Sequence, residues 1–197
     1  MITPQQIYNA YKAKGYSFYN STLPDVINAN IFGIRDRKGE MDAYCDYLGV
    51  IWRTRDGELK MRIWNASTKA GSYYFKNPMN GKDTCIIKEG QYKGAYQIGT
   101  YHGYKALRQI KPIQYYSDSN RNAVADYIES SVHTAIRQTH IHKSGVDSKI
   151  VWNWSAGCQV FKRECDFKEF MGIIDKSAKY YGDTFTYTLF ELSDVVK

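Results

Sequence analysis

The sequence has little of what would place a chain in a membrane or mark it for export. None of its apolar runs approaches the roughly 20 residues that a membrane-spanning helix needs. The first residues, 1–6, do not pair a basic segment with an apolar one, so we expect no signal peptide of the usual kind. We therefore expect neither a transmembrane segment nor export by that common route.

The cysteines do not form a metal or disulfide pattern. There are 4 of them, Cys45, Cys85, Cys158 and Cys165, without a Cys-x-x-Cys pair or zinc-finger spacing to histidine. If Cys158 acts as a free thiol, an odd number of others remains, which suits synthesis in a reducing compartment. We predict no metal site and no cofactor.

The net charge is positive, but the basic residues are spread along the sequence. The formal net charge is +7, yet the 27 Lys and Arg residues form no dense run and no known nucleic-acid motif. A diffuse basic surface attracts polyanions at long range, for example an anionic cell wall. We expect no nucleic-acid partner.

Short apolar segments separated by glycine predict a mainly-β fold. Asp56–Gly57 is a strong hairpin signal between two of these segments. Regular spacing of short strands favours a β-sandwich or barrel. The predicted strands are 26–35, 47–53, 59–64, 85–87, 94–98, 104–110, 113–116 and 185–190, with a loop at 65–72.

Two helices flank this β region. Thr3 as cap and Pro4 in the first turn predict a short N-terminal helix. A longer one is predicted over 166–181, capped by Asp166 with Glu169 as its capping-box partner. Its apolar stripe is core packing: Phe167, Phe170, Met171, Ile174, Ala178 and Tyr181. No linker or repeat divides the chain, so we predict a helical extension over 1–25 and one mainly-β catalytic domain over 26–197, acting as a monomer.

Residues 118–129 partly match a calcium-binding loop. Oxygen-bearing side chains occupy the ligand positions, but Ala123 stands where the sharp turn requires glycine. An Asx-rich turn between strands explains the segment more simply. We expect no dependence on calcium.

The segment 139–161 carries the chemistry. His142 lies on a short alternating run, and Cys158 follows a turn that begins at Ser155. A cysteine attacks as the thiolate, so it needs a base nearby, and a strand, a loop and a turn could bring His142 to it. Gly157 permits a tight turn that could aim its own amide and that of Cys158 at one point as an oxyanion hole. Asp147, Asn153 or a backbone carbonyl could orient His142.

These residues resemble the catalytic motif of the L,D-transpeptidase (YkuD-type) family. Four positions match it in order and spacing: His142, Ser155, Gly157 and Cys158. The resemblance implies an L,D-transpeptidase-like fold, with Cys158 as nucleophile and His142 as base. His140, on the same face of the predicted strand, is the rival base. The sequence around the cysteine, residues 154–161, is similar to that of a divergent branch of the family found in phage and prophage proteins.

Two positions depart from the family. Lys143 replaces a glycine, and Val160 replaces an arginine associated with the substrate carboxylate. We therefore expect less reliance on a terminal carboxylate in the substrate. The residues predicted to bind substrate are His140, Trp154, Asn153, His102 and Lys143.

The resemblance implies bacterial peptidoglycan as the partner. We expect an endolysin-like cysteine peptidase, made in the bacterial cytoplasm and acting on the wall after release. A transpeptidase that cross-links peptidoglycan is the first alternative. The second is a non-catalytic wall-binding module on the same fold, for which a Cys158 pKa near that of a free thiol would argue.

Overall fold

A computed structural model describes residues 2–21, 23–24 and 26–196. Its strands, in chain order, are β1 (Asn30–Arg35), β2 (Asp46–Arg53), β3 (Leu59–Ser67), β4 (Thr84–Ile87), β5 (Gly90–Tyr101), β6 (Tyr104–Gln109), β7 (Ile113–Asp118), β8 (Val132–Ala135), β9 (Ile141–Lys143), β10 (Gln159–Phe161) and β11 (Thr184–Glu191). The α-helices are α1 (Pro4–Ala13), α2 (Ser72–Lys76), α3 (Glu164–Tyr181) and α4 (Leu192–Val195), and a 3-10 turn spans Glu129–Ser131.

The strands form two sheets. Within the described residues, one is a closed barrel of order β1-β11-β5-β6-β9-β10-β3-β2, and the other is a three-stranded sheet of order β4-β7-β8. The mainly-β prediction with a short N-terminal and a substantial C-terminal helix is therefore confirmed. The predicted hairpin is also confirmed, because β2 pairs antiparallel with β3 around Asp56–Gly57.

Several predicted boundaries are wrong, as at the strand predicted over 94–98, which runs from Gly90 to Tyr101. The first strand begins at Asn30, not at residue 26. The side chain of Asn30 donates hydrogen bonds to the carbonyl oxygens of Tyr19 and Ile51 at this strand end. The loop predicted over 65–72 was placed too early, because β3 continues to Ser67 and pairs there with β10. Helix α3 begins at Glu164 and not after an Asp166 cap, because the Asp166 carboxylate accepts hydrogen bonds from Arg163 instead.

Both flanking helices are packed into the core. The capping box of Thr3 in α1 is present, and the helix buries Ile7, Ala10 and Tyr11 in a cluster with residues of β1 and β11. Helix α3 buries Phe167, Phe170, Met171 and Ile174 in the main core, with ring contacts to Trp64 and Phe161, and ends at Gly182 as predicted. Tyr181 lies outside this core and is exposed.

A buried arginine fixes the small sheet to the barrel. Arg35, at the end of β1, is fully buried and donates to the carbonyl oxygens of Thr68 and Ile87. Its guanidinium also lies 3.0 Å from the Glu89 carboxylate. Because such a group must keep all these partners when it is buried, β4 is held beside the barrel, where it forms part of the site described next.

Candidate functional site

Strands β9 and β10 bring the motif residues together. They are parallel, with Gln159 opposite Ile141 and Val160 opposite His142. Side chains alternate between the faces of a sheet, so this register puts Cys158, His140 and His142 on one face. All three line an open cavity of about 850 Å³.

His142 is held as a proton acceptor. Its Nδ1 lies 2.7 Å from the carbonyl oxygen of Lys143, which can only accept, so Nδ1 carries the hydrogen and Nε2 the lone pair. The ring is 3 % exposed, and Nε2 is buried with no hydrogen-bond partner among the described residues. Burial lowers the pKa of His142 to about 4, which keeps it neutral at pH 7. Of the groups considered for orienting it, the backbone carbonyl is the one in contact.

His140 is held in the opposite sense. Its Nδ1 accepts a hydrogen bond of 3.2 Å from the backbone N–H of Gln109, so the proton lies on Nε2. Burial, with a smaller contribution from Arg108, lowers its pKa to about 4. The neutral ring thus has no free lone pair, which suits a wall residue better than a base.

Tyr101 packs against both imidazoles. Its ring centroid is 5.0 Å from that of His140 and 4.8 Å from that of His142. His102 packs against the same tyrosine at 4.3 Å, from the β5–β6 turn, where its φ is +46°. Sequence reasoning missed Tyr101, because an aromatic residue at the end of a strand carries no distinguishing signal.

The Cys158 thiol is buried and protonated. Its Sγ lies 3.6 Å from the carbonyl oxygen of Gln138 and donates to it. Burial raises the pKa of Cys158 to about 12. Since the Nε2 of His142 does not hydrogen-bond Sγ, the resting site holds a neutral thiol beside a neutral imidazole.

Ser155 stabilises the turn and does not line the cavity. It is fully buried, and its Oγ donates to the Cys158 carbonyl at 2.8 Å and accepts from the Gly157 amide at 3.2 Å. Ser155, expected among the catalytic residues, does not line the cavity: its side chain closes the turn beneath Cys158.

The predicted pair of oxyanion amides is also wrong. The Gly157 N–H is taken by Ser155, which leaves the Cys158 amide, without a partner among the described residues, as the remaining donor of that pair. Gly157 is required for another reason. Its φ is +123°, and a Cβ there would lie 2.6 Å from the carbonyl oxygen of Cys85.

The remaining predicted binding residues all line the cavity. His102, Asn153 and Trp154 lie there with exposed side chains, and Trp154 is 44 % exposed. Lys143 is less free, because its ammonium lies 2.9 Å from Glu164 and 5.2 Å from the centre of the Tyr104 ring.

Sequence reasoning missed the residues that the small sheet adds. Asp83 precedes β4, Cys85 lies within it, and Arg137 follows β8, and all three line the cavity. Arg137 makes a two-point ion pair with Asp83. Val160, at the position of the family's arginine, is fully buried beside Tyr44 and Val151.

The 118–129 loop is occupied with its own hydrogen bonds. The side-chain amides of Asn120 and Asn122 both donate to Asp126, and Asp118 accepts from the backbone of Asp126. Ala123 adopts φ +67°, the conformation that favours glycine. Among the described residues no group of three or more His, Cys, Asp or Glu side chains could hold a metal.

Comparisons of the chain with models of protein families, with curated proteins and with solved structures gave no match. No helix in the described ranges is long and apolar enough to cross a membrane.

Proposed function

We propose that this protein is a cysteine peptidase that cleaves bacterial peptidoglycan, with Cys158 as nucleophile and His142 as general base. One observation carries the proposal. A buried histidine, fixed by the Lys143 carbonyl, presents an unpartnered Nε2 on the same face as the Cys158 thiol, in one open cavity. A buried polar atom without a partner is costly, so it requires an explanation, and a catalytic role is one.

The neutral resting pair defines the chemistry. The thiol is poorly reactive while it is protonated, so attack on an amide carbonyl is coupled to proton transfer from Sγ to Nε2 of His142. The Cys158 amide is the donor available for the oxyanion. The imidazolium then protonates the departing amine, and water hydrolyses the thioester in a second step.

Digestion of purified cross-linked peptidoglycan tests the proposal. We expect soluble peptides, identified by mass, and loss of turbidity with the wild-type protein. The Cys158→Ala variant should release none. The basic surface should favour binding to an anionic wall, so raised salt should slow the digestion. Newly cross-linked dimers without net release would identify a transpeptidase instead.

Two observations favour a wall-binding module. The Cys158 thiol is not activated at rest, and two aromatic rings near the cavity, Trp152 and Trp154, are 46 % and 44 % exposed. Exposed aromatic rings suit stacking on sugars or peptides. Sedimentation with insoluble peptidoglycan separates the two functions, because a binding module retains wall binding in Cys158→Ala and releases no fragment in either form.

A further inference from the structure

The cavity contains a charged pair that the proposed chemistry does not use. Nη1 of Arg137 donates to Asp83 at 3.2 Å and to the Tyr115 hydroxyl at 3.0 Å, and Nη2 donates to Asp83 at 2.8 Å. Burial raises the pKa of Asp83, but hydrogen bonds from Arg137, Ser117 and Asn80 outweigh it and lower the pKa to about 2. Asp83 is therefore ionised at neutral pH and holds the guanidinium in a fixed orientation.

Part of the guanidinium is left over. The group has five N–H bonds, and both of those on Nη1 and one on Nη2 are used by Asp83 and Tyr115. Nε–H and the second Nη2–H lie along one edge of the planar group, and no acceptor for them exists among the described residues. That edge has the geometry that a carboxylate binds with two parallel hydrogen bonds.

The pair is attached to the two segments that touch the Cys158 turn. Gln138, the neighbour of Arg137, accepts the Cys158 thiol hydrogen bond at 3.6 Å. Cys85, two residues after Asp83, packs against Gly157: its carbonyl oxygen would lie 2.6 Å from a Cβ at that glycine. Arg137 and Cys158 also line the same cavity, so a substrate held there lies within reach of both.

The other cation in the cavity is already committed. Lys143 pairs with Glu164, a residue at the start of α3, and its ammonium lies over Tyr104. A lysine is also a point charge without the planar fork that fixes a carboxylate in two places. Arg137 is therefore the residue whose chemistry fits a carboxylate best.

We propose that Arg137, held by Asp83, is the carboxylate-binding residue of this cavity, and that it selects substrates with a free carboxylate next to the carbonyl attacked by Cys158. Selection of a substrate rests on the proposed function, but binding of a carboxylate to Arg137 can be measured separately. It also revises the expectation drawn from Val160, because a residue on a different segment offers the missing contact.

Two matched thiol labels test it. Iodoacetyl-glycine and iodoacetyl-glycinamide place the same reactive carbon one residue from a carboxylate or from its neutral isostere. Their rates at Cys158 are measured by mass spectrometry of its peptide, and each ratio is divided by that of the urea-unfolded chain, which removes intrinsic reactivity. We expect the carboxylate label to be favoured roughly tenfold or more in the folded wild type.

Variants assign that preference to one side chain. It should vanish in Arg137→Gln, fall to a few-fold in Arg137→Lys, and persist in Arg55→Gln, which removes the same charge from an exposed turn. Equal normalised rates in the wild type overturn the proposal, and so does a preference lost in Lys143→Gln but kept in Arg137→Gln. If Arg137→Gln fails to fold, the wild-type ratio and the Arg137→Lys variant test the proposal.

The outcome is separable from that of the peptidoglycan assay. A label preference without peptide release leaves the carboxylate site in place and refutes the peptidase. Peptide release without a label preference does the reverse.

Discussion

The cavity has two walls of different chemical character. The motif wall, formed by His142 and Cys158 above the turn of Ser155 and Gly157, contains neutral groups around one unpartnered nitrogen. The sheet wall, formed by Asp83, Cys85 and Arg137, contains an ionised pair with a free guanidinium edge. In the function we propose, the motif wall performs proton transfer and attack while the sheet wall recognises charge.

Replacement of the nucleophile should have the largest effect. Cys158→Ala should reduce peptide release by on the order of 10⁴-fold or more, because the thioester cannot form. Cys165→Ala, on the exposed first turn of α3, is the matched control and should leave the rate unchanged. A Cys158→Ala variant that retains most of its turnover contradicts the assignment of chemistry to the motif wall.

The two histidines give the next largest contrast. His142→Ala should reduce the rate roughly 10²–10³-fold, because the base is lost. His140→Ala should act mainly on stability, by about 1–3 kcal/mol, because it leaves the buried Gln109 N–H without its acceptor. Urea unfolding measured alongside peptide release separates these effects. A His140→Ala variant that keeps its stability but loses more activity than His142→Ala would reverse the assignment.

Gly157→Ala tests the contact between the walls. The new Cβ meets the Cys85 carbonyl oxygen at 2.6 Å in a backbone conformation with φ +123°, so we expect a loss of about 2–4 kcal/mol in the free energy of unfolding. Gly57→Ala is the control for φ alone. That residue has φ +88° and open space around it, and its replacement should cost about 1 kcal/mol. Equal costs at the two positions would show that the walls do not press on each other at Gly157.

The motif wall was partly predictable because its members are near in sequence. A strand, a loop and a tight turn are enough to place His142 and Cys158 on one face, and the alternation also predicted that His140 shares it. What the residue pattern did not contain was the hydrogen bonding. The Gly157 N–H donates to the Ser155 hydroxyl, so this amide is not free to point into the cavity as the motif led us to expect.

The sheet wall was not predictable, because its geometry depends on tertiary pairing. Asp83 and Arg137 are 54 positions apart and meet only through the antiparallel pairing of β4 with β7 and of β7 with β8. Most of the strands were predicted correctly from the short alternating apolar segments and the glycines that separate them. Their order in the sheets had no local signal, and neither did the burial of Arg35 that fixes β4 to the barrel.

The smallest effect we predict is a dependence of stability on pH that arises from the two buried histidines of the cavity, His140 and His142. The pKa of His142 is lowered from 6.5 to about 4 in the folded protein, so below pH 6.5 the unfolded chain binds a proton that the folded chain does not. Stability is therefore complete above pH 6.5 and is lost as the pH falls towards 4. Between pH 7 and pH 5 this amounts to about 2 kcal/mol for His142.

The sheet wall should contribute nothing in that window, because the Asp83 carboxyl has a pKa of about 2 when folded and 3.8 when free. Urea unfolding of the wild type, His142→Gln and His133→Gln at pH 5 and pH 7 measures the difference. His133 is exposed on β8 and is the matched control. The pH dependence should shrink in His142→Gln and persist in His133→Gln. An unchanged dependence in His142→Gln would mean that the pKa of this ring is not lowered in the folded protein, which contradicts the buried, neutral imidazole of the motif wall.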